Sequence, residues 1–282
     1  MKVLILDGYN LIYRARYSFL SKNRDKSDLE DRSIIYSFIR AVRAQINKHR
    51  PDQVYFVLEG RPARRLDLSN EYKANRVYEK DSGFRLQRGI IIDLVREWPG
   101  MTVIRHPQHE CDDVAGAIAL KHAASGDSIV IVSSDSDFCQ SISDEISVFN
   151  PITKKFVVSP VAPNSYVSWK ALRGDASDNI SGFRGIGDIR AKKLIHDPNS
   201  LEEFLSVGSN RKKFEHNLEM IAFEHVDLDS CETMTTLSND ETFYNFRARL
   251  HDFGFFSITS DKAWRKFLDP ISNMRNENAK CE

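Results

Sequence analysis

The sequence predicts an α/β fold, a parallel twisted sheet flanked by helices and followed by a smaller helical unit. Three observations carry this expectation. Short apolar, β-branched runs alternate with stretches of helical spacing up to about residue 160, the pattern of a parallel sheet covered on both faces. Carboxylates stand at the ends of those runs, where the ligands of such sheets gather. Beyond about Pro160 the texture changes to helices, polar loops and more glycine.

The elements follow in order. Strands are expected at residues 3–6, 54–58, 102–104, 129–132 and 146–149, each a brief apolar run. Between the first two, Ile34, Ile35, Phe38, Ile39, Val42 and Ile46 repeat at helical spacing over 33–48. Cys111, Val114, Ala115 and Ile118 follow the i, i+3, i+4, i+7 rule of an amphipathic helix. A catalytic unit is expected over 1–159, a helical unit over 160–268 and a polar tail over 269–282.

The chain has 282 residues, 41% hydrophobic and 28% charged, with 40 basic and 40 acidic side chains. Zero net charge neither requires nor excludes a nucleic-acid partner, because distribution matters more than the sum. The distribution is uneven: residues 61–96 hold 9 basic against 5 acidic side chains, and residues 105–145 hold 2 against 8. The four cysteines are far apart, with no zinc-like spacing, which suits reduced thiols in a cytosolic protein. KVLILD at the start is charged too soon for a signal peptide, and no apolar run reaches the roughly 20 residues of a membrane span. A cytoplasmic protein with no membrane partner is expected.

The chemistry lies in nine carboxylates: Asp7, Glu59, Glu110, Asp112, Asp113, Asp135, Asp137, Asp175 and Asp178. An unpaired buried carboxylate costs several kcal/mol, so an ordinary core does not gather so many. Oxygen-only ligands suit hard divalent cations, Mg²⁺ or Mn²⁺. The Asp7-Gly8 and Glu59-Gly60 pairs would also serve as plain turns. Helix N-capping would account for one or two of Glu110, Asp112 and Asp113, and for one of Asp135 and Asp137. Two divalent ions about 3.5–4 Å apart can activate water and stabilise attacking and leaving oxygens, which carboxylates alone cannot do.

Two further segments read as nucleic-acid contacts. Arg64, Arg65, Tyr72, Lys73 and Arg76 mix cations with an aromatic ring, as an unpaired strand would need; a solvated helix face is the plain alternative. Gly185-Ile186-Gly187 followed by Arg190, Lys192 and Lys193 reads as a glycine hairpin and basic helix that grips duplex phosphates without reading sequence.

Taken in order, DGYNLIYR, EYKANR, ECDDVAGAIA, SSDSDFCQ and GDASDNISGFRGIG resemble the 5′-nuclease family of flap endonucleases, phage 5′–3′ exonucleases and polymerase I 5′-nuclease domains. The resemblance covers about residues 1–225 and is strongest to stand-alone phage members. It implies a PIN-like fold with a helical arch over about 61–97 and a helix-3-turn-helix DNA-binding motif over about 175–225. It also implies a structure-specific 5′–3′ exonuclease and flap endonuclease with two Mg²⁺ ions, replaceable by Mn²⁺, acting as a monomer on DNA with a duplex and a single-stranded 5′ end. The host cytoplasm would be its location if it is phage-encoded, primer removal in replication its natural role, and RNase H activity a companion. Asp7, Glu59, Glu110 and Asp112 would surround one ion; Asp113, Asp135, Asp137 and Asp178, with Asp175 nearby, would surround the other. Lys73 and Arg76 would steer the scissile phosphate, Tyr72 would stack on a base, and backbone carbonyls near Phe183 and Ile186 would hold K⁺. Glu59 stands where the family usually has Asp. A PIN-type ribonuclease or a non-catalytic DNA-binding scaffold of the same fold are the rival readings.

Overall fold

In the computed structural model, the described residues are 1–20, 32–76, 82–269 and 271. The polar tail expected over 269–282 therefore falls almost wholly outside the described residues, as do residues 77–81 of the expected arch. The first half runs β1 (Lys2–Asp7), α1 (Gly8–Leu20), α2 (Ser33–His49), β2 (Gln53–Leu58), α3 (Ala63–Leu68), α4 (Ser82–Arg96), β3 (Met101–Arg105), α5 (Cys111–Ala124), β4 (Ser128–Val132), β5 (Ile146–Asn150) and β6 (Lys155–Phe156). The second half runs α6 (Tyr166–Arg173), β7 (Gly174–Asp175), β8 (Ile180–Ser181), α7 (Asp188–His196), α8 (Pro198–Ser206), α9 (Asn210–Ile221), β9 (Glu232–Thr235), α10 (Asp240–Asp252), α11 (Phe256–Thr259) and α12 (Asp261–Leu268).

Seven strands form one sheet in the order β6-β5-β4-β1-β2-β3-β9. The inner pairs are parallel and the two edge strands, β6 and β9, are antiparallel. Alternate residues serve opposite faces. Leu4, Leu6, Val54, Phe56, Val130 and Val132 belong to the core shared with α1, α2 and α4. Val3, Ile5, Tyr55, Val57, Ile129 and Ile131 belong to the core shared with α5. Strands buried on both faces read as continuous apolar runs, which is why these segments stand out in the sequence.

The residues after 160 pack into two different cores. A third core, built around Trp169, Leu172, Ala191, Phe214 and Met220, holds α6–α9 together. After α9 the chain returns: β9 pairs with β3, and Phe246, Leu250, Trp264 and Phe267 join the core on the α2–α4 face of the sheet. Residues 232–268 thus complete the sheet and its first core.

Candidate metal centre and DNA-facing surface

The site lies beyond the carboxyl ends of the central strands. From β1 the chain runs outward through β2 and β3 on one side and then crosses back to β4 and β5 on the other, so the crevice between β1 and β4 is the topological switch point. Asp7 ends β1, Glu59 follows β2, and Ser133 to Asp137 follow β4. The turns are tight because glycine allows it: a Cβ on Gly8 would lie 2.5 Å from the Val57 carbonyl oxygen, and one on Gly60 would lie 1.9 Å from that of His106.

Asp7 accepts hydrogen bonds from the Ser133 hydroxyl at 2.6 Å and the Asn10 backbone N–H at 3.1 Å. Asn10 in turn holds Ser134, which ties α1 to the turn after β4. Glu59 accepts the Cys111 N–H at 3.2 Å. Burial, then neighbouring acids, push Asp7 up to about 6 and Glu59 up to about 7. Desolvation and then Asp113 and Glu110 raise Asp112 as well. Each of these shifts says that the folded chain holds negative charge here under strain.

Two groups of carboxylates have ligand atoms within 4.8 Å of one another: Glu110, Asp112 and Asp113, and Asp137, Asp175 and Asp178. Asp113 therefore sits with the first group, where the sequence placed it with the second. It is also the least available of the nine. Its oxygens accept two bonds from Arg65 at 2.7 and 2.8 Å, the Glu224 N–H at 2.8 Å and the Glu110 N–H at 3.2 Å. Glu110 is the N-cap of α5 and Asp113 its capping-box partner, so capping accounts for these two and not for Asp112. Asp135 is exposed and accepts the Asp137 N–H at 2.9 Å, an N-cap contact.

Side-chain cations offset part of this charge. Lys73 pairs with Glu110 and lies 3.7 Å from Asp178, whose other oxygen takes Arg76 at 2.7 Å. Lys73 has a left-handed backbone, φ 55°, and its N–H donates to the Asp178 carbonyl at 3.1 Å. The turn after α3 is thereby pinned to the loop after β7, and the ammonium is aimed into the site. Glu110 is held below the ordinary carboxylate range: burial opposes this, and Lys73 and Arg65 prevail.

The structure corrects two expected DNA contacts. Arg65 is 2% exposed. Its guanidinium is consumed by Glu110, Asp113 and the carbonyls of Met220 and Ala222, so no phosphate reaches it. Tyr72 is 5% exposed, and its hydroxyl donates to Glu110 at 2.6 Å with Asp178 at 3.3 Å; no face of the ring is free for a base. Arg64 is half exposed and pairs with Glu219 at 3.3 Å. Arg190, Lys193, Gly185 and Gly187 are exposed on the hairpin and α7, with Lys192 partly so. Gly185 has φ 76°, a conformation that favours glycine. The Phe183 carbonyl accepts the Ile186 N–H at 2.9 Å, leaving one lone pair.

Sequence reasoning missed Lys170. It is 3% exposed, pairs with Asp137 and lies 2.6 Å from Asp175. The signal was present: a lysine between Trp169 and Ala171-Leu172 on an apolar helix face has to find acids. The donor set fits hard divalent ions, since both groups offer only oxygen.

Residues 2–167 match the 5'-3' exonuclease, N-terminal resolvase-like domain, and residues 161–252 the 5'-3' exonuclease, C-terminal SAM fold. A thermostable DNA polymerase I of Thermus filiformis is 32% identical over 264 residues, covering 89% of this chain and 31% of that protein. The chain thus spans about a third of that relative or less of the other polymerases. A 5'-3' exonuclease of Aquifex aeolicus is 29% identical over 238 residues, covering 81% of this chain and 80% of its own. Among solved structures, T5 5'-exonuclease with divalent metal ions (zinc) bound shares the fold at TM-score 0.57 and 20% identity, covering 96% of this chain and 98% of that one. The catalytic core of Rad2 in complex with DNA substrate shares it at TM-score 0.57 and 15% identity, covering 98% and 92%. With both of its parts matched over residues 2–252, this chain belongs to the 5'-3' exonuclease family.

Proposed function

We propose that this chain is a structure-specific 5′ nuclease, a 5′–3′ exonuclease and flap endonuclease that hydrolyses phosphodiester bonds near 5′ ends and flap junctions, serving primer and flap removal in DNA replication. One observation carries the reading: Lys73, delivered by the turn after α3, pairs with Glu110 of one carboxylate group and lies 3.7 Å from Asp178 of the other. Two Mg²⁺ ions, with Mn²⁺ as substitute, are the proposed cofactors. Asp7, Glu59, Glu110 and Asp112 would hold one, and Asp135, Asp137, Asp175 and Asp178 the other. When bound, they supply an activated water and charge stabilisation at the phosphate.

The chain's own residues do the positioning. The hairpin and the N-terminus of α7, with Arg190, Lys192 and Lys193, hold duplex phosphates without reading bases, and K⁺ at the carbonyls of Phe183 and Ile186 would complete that grip. Lys73 and Arg76 draw the scissile phosphate toward the carboxylates; the phosphate competes with Glu110 and Asp178 for them. Among the described residues no helix is long and apolar enough to cross a membrane; a monomer working in the cytoplasm, the host's if phage-encoded, completes the proposal.

The test is cleavage of a 5′-labelled flap duplex with Mg²⁺, with Mn²⁺ and with EDTA. Metal-dependent release of the flap near the junction is the expected result. Salt-sensitive binding without cleavage under either metal would replace the nuclease with a scaffold, and cleavage of single-stranded RNA alone would replace it with a PIN-type ribonuclease.

A further inference from the structure

The bonds that hold Lys73 over the acidic site fall into two classes. Arg76 at 2.7 Å, the Tyr72 hydroxyl at 3.3 Å and the Lys73 ammonium at 3.7 Å all meet the carboxylate of Asp178. Under the proposed function a divalent ion takes that carboxylate and the scissile phosphate draws Lys73 and Arg76, so metal and substrate contest these contacts. The second class ends on backbone carbonyls, which they do not contest. The Asn179 side-chain amide donates to the Glu71 carbonyl at 2.8 Å, the Asn75 amide to the Ala176 carbonyl at 2.8 Å, and the Lys73 N–H to the Asp178 carbonyl at 3.1 Å.

Asn75 lies in the turns that follow α3, and Asn179 closes the loop between the paired strands β7 and β8. Loop asparagines ordinarily bond backbone groups a few residues away; these two reach across 101 and 108 residues. The two bonds run in opposite senses, Asn75 toward the loop and Asn179 toward the turn, so sliding or lifting one segment against the other breaks at least one of them. Lys73 and Asn179 both have left-handed backbones, φ 55° and φ 60°, a conformation that asparagine adopts more readily than lysine. The uncommon backbone at Lys73 is thus held from outside its own turn. Core packing does not explain the pair, because both side chains are exposed.

We propose that Asn75 and Asn179 are positioning residues for phosphodiester cleavage, a reciprocal clasp that keeps the Lys73 turn seated on the β7–β8 loop while metal and phosphate engage Asp178, Lys73 and Arg76. The assignment rests on the nuclease reading. It makes the rate of cleavage depend on two exposed side chains that act through Lys73.

The experiment is single-turnover cleavage of the labelled flap duplex under Mg²⁺, with duplex affinity measured separately in EDTA. Asn179→Gly keeps the left-handed backbone and deletes its amide; Asn75→Ala deletes the other. Each should slow cleavage about ten-fold at unchanged duplex affinity. The two together should approach Lys73→Ala, since a misplacement of about 1 Å at a reacting group costs on the order of 100-fold. In a Lys73→Ala background, Asn179→Gly should cost less than about two-fold more, because losses that pass through one residue do not add. General loosening of the fold would instead lower the rate by the same factor in either background. Wild-type rates in both single variants, losses that multiply with Lys73→Ala, or a rate loss matched by an equal loss of duplex affinity would overturn the clasp and leave the nuclease reading standing. Wild-type protein that binds the duplex and cleaves nothing under Mg²⁺ or Mn²⁺ would overturn the nuclease reading and the clasp with it.

Discussion

Arg65→Met separates the structural reading of the basic segment from the phosphate-binding one. Arg65 is 2% exposed and forms ion pairs at 2.7 Å with both Glu110 and Asp113. It also donates to the carbonyls of Met220 and Ala222 at 3.1 and 3.0 Å, so one side chain ties α3, the start of α5 and the end of α9. Methionine fills comparable space but leaves Asp113, 1% exposed, without its cation. Glu110 keeps Lys73. Breaking a buried pair by removing one partner costs about 3–5 kcal/mol. At roughly 2–4 °C per kcal/mol for a chain of this size class, thermal unfolding followed by far-ultraviolet circular dichroism should drop by about 10 °C. Adding Asp113→Asn should recover much of the loss, because removing both charges of a buried pair is often near neutral. Duplex DNA affinity, measured by fluorescence anisotropy well below the transition, should change less than about two-fold. An unchanged transition temperature together with a large loss of affinity would return Arg65 to the DNA surface and refute the argument.

Three other outcomes follow from the same geometry. Asp137→Ala should abolish flap cleavage while leaving duplex binding within about three-fold; cleavage at the wild-type rate would remove Asp137 from the site. Lys73→Ala should slow single-turnover cleavage by about 100-fold or more, the scale of a lost electrostatic contact to the reacting phosphate, while duplex affinity barely moves. A defect confined to affinity would contradict its placement over Glu110. The third concerns pH in EDTA. Glu59 and Asp7 have folded pKa values raised to about 7 and about 6, so their ionised forms burden the fold, and stability falls as pH rises through those values. His49, buried and lowered to about 4, removes stability as pH falls below about 6.5. The clean window is therefore pH 6.5 to 8, where the transition temperature should fall with rising pH and Mg²⁺ should cancel most of the fall. A transition temperature that climbs across that window without metal would contradict the crowding of these acids.

The sheet was legible because its inner strands are buried on both faces. All five expected strands fall within one or two residues of β1–β5, and α2 and α5 begin within a residue of where the apolar period starts. The edge strand β9 was not legible. Its residues, Glu232–Thr235, are mostly exposed and polar, so no apolar run marks them, and only pairing with β3 makes them a strand. The return of α10–α12 to the first core was hidden for a related reason: nothing local tells which of two cores an amphipathic helix will cover.

The acids of the site were legible and the places of Arg65 and Lys170 were not, and the difference is physical. A carboxylate at the end of a buried strand has its position set by the strand, and parallel strands share one carboxyl edge. A lysine or arginine in a turn or helix has a long stem, and its direction depends on partners far along the chain: Arg65 meets Asp113 across 48 residues and Lys170 meets Asp137 across 33. Once placed, the cations bear on how many ions the site needs. Nine carboxylates less the four cations Arg65, Lys73, Arg76 and Lys170 leave about five negative charges at full ionisation. Arg65 and Lys170, at 2% and 3% exposure, cannot swing out to solvent without leaving buried acids unpaired. One divalent ion would leave about three charges facing an incoming phosphate that is itself negative; two reduce them to about one. The raised pKa values of Asp7 and Glu59 mark the same excess from the other side, as protons held where cations are wanted, and this charge balance favours a pair of ions over one.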